Sequence, residues 1–255
     1  MDYSNEKFDI ILLSGQSNAE GSGRGPADEE YAADEDILRM VGSKDRDDAN
    51  KWILHFPIEI NIETPDSSER DDLSLAFANE YKRAGLLEEG RKVLLIHAAL
   101  GGTSFASGHW GMKDKGYRRM MYMLDCALNM NHENRLVALL WHQGESDVDK
   151  NSPEVYHDQL SALFDSVKSR CPDKDLPIIT GDFVQDWKSR HLESCIPIVE
   201  QIKAVTAEHG GKFIETIGLP SNDMSGAREG DYIHFSRNSL HILGKRYFDA
   251  FTSLI

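Results

Sequence analysis

Four short and almost continuous runs of apolar residues mark the chain. They are Phe8–Leu13, Val93–Ala99, Leu136–Trp141 and Leu176–Thr180. Strands that are covered on both faces of a parallel sheet show such runs, whereas half-exposed strands alternate apolar and polar positions. The pattern therefore predicts four buried parallel strands, and a weaker run over Ile37–Val41 predicts a fifth.

Between and after these runs, apolar residues recur every three or four positions, as on the buried face of an α-helix. The five segments with this spacing span residues 73–84, 117–128, 156–167, 198–205 and 240–251. Ser152 and Pro153 indicate the start of the third helix, because serine caps a first turn and proline fits its first position. Pro197 predicts the start of the fourth helix, and Gly210 predicts its end.

Strand and helix alternate along the whole chain, and no repeat, linker or low-complexity tract interrupts them. This alternation predicts an α/β fold with one open parallel sheet and helices on both of its faces. We expect residues 1–255 to form a single domain. The charged segments 27–35, 44–50 and 63–72 are expected to be solvated loops.

The composition restricts the partners of the protein. The 255 residues carry 28 Lys and Arg against 43 Asp and Glu, a formal net charge of −15. This charge repels phosphate groups, so we expect neither nucleic acid nor a membrane as a partner. The sequence shows no signal-peptide pattern and no apolar run of the ~18 residues that a membrane helix needs, which predicts a cytoplasmic protein. Its three cysteines (Cys126, Cys171 and Cys195) are expected to be reduced thiols.

Three of the predicted strands are followed at once by a polar turn that contains glycine. Residues 14–19 read SGQSNA, residues 100–104 read LGGTS, and residues 142–147 read HQGESD. Ligands of open α/β sheets bind beyond the carboxyl ends of the strands, so we expect these turns to meet at one edge. Ser17 is then either an ordinary turn residue or a nucleophile.

A nucleophilic serine needs a base, because its hydroxyl is a poor nucleophile unaided. Asp231 and His234 lie three residues apart in the segment GDYIHFS, just before the last helix. One turn can place the Asp231 carboxylate against the Nδ1–H of His234 and leave Nε2 free to take a proton from Ser17. Each residue alone is typical of a structural role, but the three together predict a catalytic triad.

Acyl transfer also needs hydrogen-bond donors that face the developing oxyanion. The candidates are the backbone N–H of Ser17, the backbone N–H of Gly101 or Gly102, and the side-chain amide of Gln143. Gln143 is alternatively a buried residue that satisfies backbone groups. Glu145 is expected to be a structural support for neighbouring turns and not a general acid, because the triad already accounts for the proton transfers.

The remaining histidines and tryptophans give weaker signals. His142 and Glu145 have no HExxH pattern or Cys/His cluster around them, so we expect no metal and no cofactor. His97 and His142 lie in or beside apolar strands and are expected to be hydrogen-bonded core residues. Trp110 follows the GGTS turn and is expected either to stack on a sugar or to pack that turn.

The stretches GQSNA, GGTS, WHQGESD and DYIHFS occur in this order between residues 15 and 236. In this combination the chain resembles the SGNH (GDSL-like) hydrolases, and most of all the carbohydrate esterase family 6 and sialate O-acetylesterase-like branch. The resemblance implies a flavodoxin-like, three-layer α/β/α sandwich with a mostly parallel sheet. It covers nearly the whole chain.

The resemblance also implies roles for individual residues. Ser17 would be the nucleophile, His234 the general base and Asp231 its partner. The implied oxyanion donors are Ser17, Gly101 or Gly102, and Gln143. Gln143 stands where the wider superfamily has asparagine, so the amide donor is kept while the geometry of the pocket must differ.

We therefore expect a serine esterase that removes short acyl groups, above all acetyl, from carbohydrate hydroxyls through an acyl-enzyme. The expected partner is an acetylated sugar or oligosaccharide. The alternatives are a lipase or thioesterase of the same superfamily and a non-catalytic carbohydrate-binding protein on the same fold. The sequence leaves the sugar and the oligomeric state open.

Overall fold

All five predicted strands form, and they lie in one seven-stranded sheet. The computed structural model describes residues 3–26, 31–32, 34–65, 72–171 and 175–255. Within these residues the strands are β1 (Lys7–Gly15), β2 (Ile37–Gly42), β3 (Asp45–Arg46), β4 (Trp52–Ile53), β5 (Ile60–Glu63), β6 (Arg91–His97), β7 (Arg135–His142), β8 (Ile178–Gly181) and β9 (Lys212–Ile214). The helices are α1 (Ser17–Glu20), α2 (Leu73–Arg83), α3 (Lys115–Met130), α4 (Pro153–Lys168), α5 (Gln185–Arg190), α6 (Leu192–Glu208) and α7 (Arg237–Thr252).

The sheet has the strand order β5-β2-β6-β1-β7-β8-β9. Its central strand, β1, pairs in parallel with both β6 and β7, and β2, β8 and β9 continue the parallel arrangement. β5 pairs antiparallel with β2 at one edge. The carboxyl ends of β1, β6 and β7 therefore lie next to one another, where the three polar turns begin.

The two faces of the sheet are covered by different helices. Ile10 and Leu12 of β1 lie in one apolar core with residues of α3, α4 and α6. Ile11 and Leu13 lie in the opposite core with residues of α2 and α7. Successive side chains of a strand point to opposite faces, so one continuous apolar run fills both cores. The predicted three-layer α/β/α architecture with a mostly parallel sheet is confirmed.

The predicted start of the fourth helix at Pro197 is wrong. Helix α6 begins at Leu192 and contains Pro197 in its second turn. Proline lacks the N–H that would bond to the carbonyl of residue 193, four positions earlier. Glu193 is exposed, so solvent can reach the carbonyl group that lacks its donor. The apolar residues after Pro197 mark only the buried part of this helix.

The short elements were not anticipated. The segment 44–50, expected to be a solvated loop, contains β3, which pairs with β4 as a two-stranded hairpin near the carboxyl edge of the sheet. Of the other two charged segments, residues 27–30, 33 and 66–71 lie outside the described part of the chain. Strands of two or three residues and helices of four carry too few apolar positions to show a period.

Candidate active site

Ser17 is the first residue of helix α1, immediately after the central strand. Gly15 ends this strand with φ 132°, and a Cβ at this position would lie 2.1 Å from the carbonyl oxygen of His142. The N–H of Gln16 donates to that same carbonyl at 3.0 Å. Glycine therefore lets β1 approach β7 closely, and the next turn carries Ser17 to the carboxyl edge of the sheet.

His234 and Asp231 lie in the loop before helix α7 and complete a hydrogen-bonded chain with Ser17. The Nε2 atom of His234 lies 3.0 Å from Ser17 Oγ, and its Nδ1 atom lies 2.7 Å from Asp231 Oδ1. Asn222 donates through Nδ2 to the other carboxylate oxygen, Asp231 Oδ2, at 2.9 Å. The structure thus brings the three residues predicted as a triad together in one hydrogen-bonded chain.

Asn18 holds the histidine loop on both sides of His234. Its Nδ2 donates to the carbonyl of Ile233 at 3.1 Å, and its Oδ1 accepts from the N–H of Phe235 at 3.0 Å. The second Nδ2 hydrogen of Asn18 is donated to Glu145 Oε1 at 2.8 Å. This is the geometry expected of a structural support at Glu145, because the carboxyl group fixes the amide that brackets the histidine.

Glu145 is 4% exposed, and burial raises the pKa of its carboxyl group to about 7. Oε1 lies 3.9 Å from Nε2 of His142. Burial also lowers the pKa of His142 to about 4, so the imidazole is neutral near neutral pH and gives Glu145 no counter-charge. Among the described residues, neither Glu145 Oε2 nor His142 Nε2 has a hydrogen-bond partner.

The two glycines of the GGTS turn differ in their surroundings. The N–H of Gly101 donates to Glu20 Oε2 at 2.9 Å. The Gly102 N–H has no acceptor among the described residues, and Gly102 lines the same cavity as Ser17. Gly102 also has φ +73°, in the left-handed region that favours glycine. The structure therefore distinguishes the two glycines, which the sequence left as equal candidates for the oxyanion donor. The Gly101 N–H already has an acceptor, and the Gly102 N–H has none among the described residues.

Gln143 lies away from this cavity. Its Nε2 donates to Asp147 Oδ2 at 2.7 Å and lies 3.3 Å from Gln16 Oε1. Its Oε1 accepts from the hydroxyl of Tyr156 at 3.2 Å. Gln143 is 1% exposed and is absent from the described lining of the cavity. The structure therefore places the amide in a buried network with Asp147, Tyr156 and Gln16.

An open cavity of about 560 Å³ lies in front of Ser17. Among the described residues that line it, Ile233 has the one fully apolar side chain, and the charged residues are Glu20, Arg24, Arg46 and Arg228. Burial raises the pKa of Glu20, but the charge and hydrogen bond of Lys44 outweigh it and hold the pKa below its usual range. The cavity is therefore lined by three arginines in a protein of net charge −15.

The other histidines and Trp110 have structural places. His97 Nε2 lies 3.2 Å from the carbonyl oxygen of Glu20, and His142 Nδ1 lies 3.0 Å from the hydroxyl of Tyr247. Both are buried, so their prediction as hydrogen-bonded core histidines is confirmed. Trp110 is fully buried and donates through Nε1 to a hydroxyl within the GGTS turn, so it packs the turn and does not face the cavity.

Neither a metal-binding cluster nor a membrane-spanning helix is present among the described residues. They contain no group of three or more His, Cys, Asp and Glu side chains arranged to hold a metal ion. Their helices include none with the length and apolar character required to span a membrane.

A family model described as carbohydrate esterase, sialic acid-specific acetylesterase, matches residues 7–253. The chain belongs to this family. The match spans almost the whole chain and includes every residue predicted for the site. The resemblance drawn from the sequence is thereby confirmed.

Individual proteins agree with this assignment. A curated relative from Arabidopsis thaliana, named probable carbohydrate esterase At4g34215, is 30% identical over 185 residues, 67% of this chain. The match spans 66% of that protein, somewhat less than two thirds of its length. The crystal structure of the same plant protein covers 96% of this chain and 98% of its own, with a TM-score of 0.65 and 23% identity.

Two further crystal structures share the fold. NanS has a TM-score of 0.78 and 16% identity, and the alignment covers 98% of each chain. XAC1771, described as a carbohydrate acetylesterase from Xanthomonas citri, has a TM-score of 0.62 and 18% identity over 95% of this chain and 55% of its own.

The cytoplasmic location and the single domain stay predictions.

Several residues that shape the site were not found from the sequence. They are Glu20, Trp52, Asp147 and Asn222. Glu20 follows the GQSNA stretch directly and Asp147 ends the HQGESD stretch, so closeness to a motif was a usable signal for these two. Trp52 and Asn222 lie in segments without any motif, and their importance comes from tertiary contacts.

Proposed function

We propose that this protein is a serine esterase that removes acetyl groups from the hydroxyls of a carbohydrate, with Ser17, His234 and Asp231 as its triad. The observation that carries the proposal is the unbroken chain of contacts from Ser17 Oγ through His234 to Asp231, at 3.0 and 2.7 Å. The family supports the esterase activity and the carbohydrate substrate. An intact triad also disfavours the alternative of a non-catalytic binding protein.

The reaction follows from the direction of these contacts. His234 Nε2 accepts the proton of Ser17 as Oγ attacks the ester carbonyl carbon, and Asp231 stabilises the imidazolium that forms. The carbon–oxygen bond to the sugar then breaks, and His234 returns the proton to the sugar oxygen. Water adds to the acetyl-enzyme with the same base, and acetate leaves as Ser17 regains its proton.

We propose two backbone donors for the oxyanion. The N–H of Ser17 belongs to the first turn of helix α1, where backbone N–H groups have no intrahelical acceptor. The N–H of Gly102 is the second donor, since Gly101 already donates to Glu20. Gln143 is proposed to position the loop that contains Asp147, because its amide donates to that carboxylate and not into the cavity.

The cavity favours a sugar over a long acyl chain. A lipase needs an apolar surface for the chain, and Ile233 is the one apolar side chain among the described lining residues. Hydroxyl groups of a sugar can instead bond to Asn50, Ser146 and the arginines that line the cavity. The lipase alternative therefore receives little support from the shape and chemistry of the site.

The guanidinium groups favour a sugar that carries a carboxylate. Arg24, Arg46 and Arg228 all line the cavity, and the charge of Glu20 is balanced by its ion pair with Lys44. Guanidinium groups bind carboxylates through two parallel hydrogen bonds. The description of the family as sialic acid-specific agrees with an acidic sugar. We therefore propose an acetylated acidic sugar as the preferred substrate.

The first experiment compares the wild type with Ser17→Ala on p-nitrophenyl acetate and on a panel of acetylated sugars. Loss of nearly all acetate release and of covalent labelling by a fluorophosphonate is expected, with unchanged circular dichroism. Ser161→Ala is a matched control. Ser161 Oγ lies 3.0 Å from Nε2 of His209, but this pair does not line the cavity. Substantial turnover by Ser17→Ala, or equal loss in the control, would contradict the triad.

A further inference from the structure

Gly101 is held at both of its backbone polar groups. Its N–H donates to Glu20, and its carbonyl oxygen accepts from Trp52 Nε1 at 2.9 Å and from Arg46 Nη2 at 3.2 Å. A Cβ at this position would lie 2.4 Å from the Glu20 carboxylate, so a larger residue here would displace that carboxylate from the Gly101 N–H. This one residue is thus fixed from two sides by three side chains.

The two donors to the Gly101 carbonyl come from opposite strands of the β3–β4 hairpin. Arg46 and Trp52 are paired directly across its ladder. The Arg46 guanidinium lies 3.7 Å from the centroid of the Trp52 ring, and its Nη1 donates to the carbonyl and side chain of Asn50 at 2.9 and 3.1 Å. Stacking and hydrogen bonds therefore fix both donors before any substrate arrives.

The peptide unit that carries the Gly101 carbonyl also carries the Gly102 N–H. This peptide bond is trans, and in a planar trans peptide the carbonyl and N–H point in opposite directions. Holding the carbonyl on Trp52 and Arg46 therefore directs the N–H away from these two donors. Gly102, which carries this N–H, lines the cavity in front of Ser17. Hydrogen bonds to the carbonyl also polarise the unit, which strengthens its N–H as a donor.

We propose that Trp52 is a positioning residue for the oxyanion hole, acting through the Gly101–Gly102 peptide. The inference rests on the proposed esterase function, since it concerns a donor to the oxyanion. Trp52 does not line the cavity. Its indole N–H therefore affects the reaction through the orientation of the Gly102 N–H. Arg46 supports the same carbonyl but also lines the cavity, where it can touch the substrate.

The test replaces Trp52 by phenylalanine, which keeps an aromatic ring over Arg46 and removes the N–H donor. Kinetics are measured on p-nitrophenyl acetate and on its thionoester, whose sulfur is a weak hydrogen-bond acceptor. We expect kcat on the ester to fall on the order of tenfold with KM almost unchanged. The loss on the thionoester should be much smaller, so the ratio of the two rates falls by nearly the same factor.

Trp187→Phe is the matched control, because Trp187 lies on helix α5 and makes its ring contacts with Phe183 and His191. It should leave the ester-to-thionoester ratio unchanged. A Trp52→Phe variant that loses equal rate on both substrates, or none, would overturn the inference. If Trp52→Phe does not fold, replacing the Trp52 indole by benzothiophene (the amino acid β-(3-benzothienyl)alanine), which keeps the bicyclic shape and lacks the N–H, carries the same test. An unchanged ratio there overturns the inference as well.

The wild-type activity distinguishes an error about Trp52 from an error about the esterase function. A wild-type protein that neither hydrolyses the ester nor reacts with a fluorophosphonate would contradict the esterase function itself. If the wild type hydrolyses the ester and reacts with the fluorophosphonate, and Trp52→Phe has the same ester-to-thionoester rate ratio as the wild type, only the role of Trp52 is contradicted.

Discussion

Substituting glutamine for Glu145 replaces a buried carboxyl group with a neutral amide of nearly the same shape. Glutamine keeps an oxygen that can accept the Nδ2–H of Asn18, which Glu145 Oε1 accepts at 2.8 Å. It removes the negative charge that the wild-type side chain acquires at high pH. Because Glu145 is 4% exposed and His142 gives it no counter-charge, this charge is costly in the folded protein.

The size of this cost follows from the two pKa values. The pKa of Glu145 is about 7 in the folded protein, against an ordinary value of 4.5. Below pH 4.5 the group is protonated in both states and contributes nothing. As pH rises to 7, the unfolded chain loses its proton first, which favours unfolding. A difference of one unit between the folded and unfolded pKa is worth about 1.4 kcal/mol. The loss of folding stability caused by Glu145 therefore reaches about 3 kcal/mol above pH 7.

Urea unfolding of the wild type and Glu145→Gln at pH 5 and pH 8.5, followed by tryptophan fluorescence, measures this cost. The difference in unfolding free energy should shift by about 2.5 kcal/mol in favour of the glutamine variant between the two pH values, because the smaller part of the cost is already present at pH 5. Glu89→Gln is the control, since Glu89 lies in an exposed turn. A difference that stays constant with pH would refute the reasoning.

The same variant separates the two roles weighed for Glu145. A structural support that accepts a hydrogen bond from Asn18 is preserved by glutamine, so kcat on p-nitrophenyl acetate should stay within a few-fold of the wild-type value. A general acid needs a transferable proton, which glutamine lacks. A large loss of kcat in a well-folded Glu145→Gln protein would therefore show that the carboxyl group takes part in proton transfer.

Three further substitutions test the site. Asp231→Asn should lower kcat by about ten-thousandfold with an unchanged fold, because the imidazole loses its orienting carboxylate; a variant that retains a tenth of the wild-type rate would contradict the triad. Gln143→Ala should lower the unfolding free energy by about 1–3 kcal/mol, since Asp147 loses a buried donor. A hundredfold loss of kcat at unchanged stability would instead assign Gln143 to the oxyanion hole. Arg24→Ala should lower kcat/KM about two- to fivefold on an acetylated acidic sugar and little on a neutral one, and equal losses on both would contradict the acidic-sugar proposal.

The sequence by itself determined the architecture and the chemistry-bearing residues. Continuous apolar runs such as Phe8–Leu13 predicted the buried strands because a strand covered on both faces has no polar side. The residues of the proposed triad were identifiable because each lies in a short stretch whose residue types are set by local chemistry. The family resemblance then assigned their roles, and it required no knowledge of contacts between distant segments.

Only the tertiary structure decided how the groups around the triad are used. Which of the Gly101 and Gly102 N–H groups lacks an acceptor depends on Glu20, and the carbonyl between them is held by a hairpin about fifty residues earlier in the chain. No local pattern encodes these contacts. The amide of Gln143 is engaged at its nitrogen by Asp147 and at its oxygen by Tyr156. Hydrogen-bond donors have direction, and direction is set by partners that folding brings together. Residue type and order in the chain therefore identify the candidate catalytic groups, and three-dimensional packing sets their orientation.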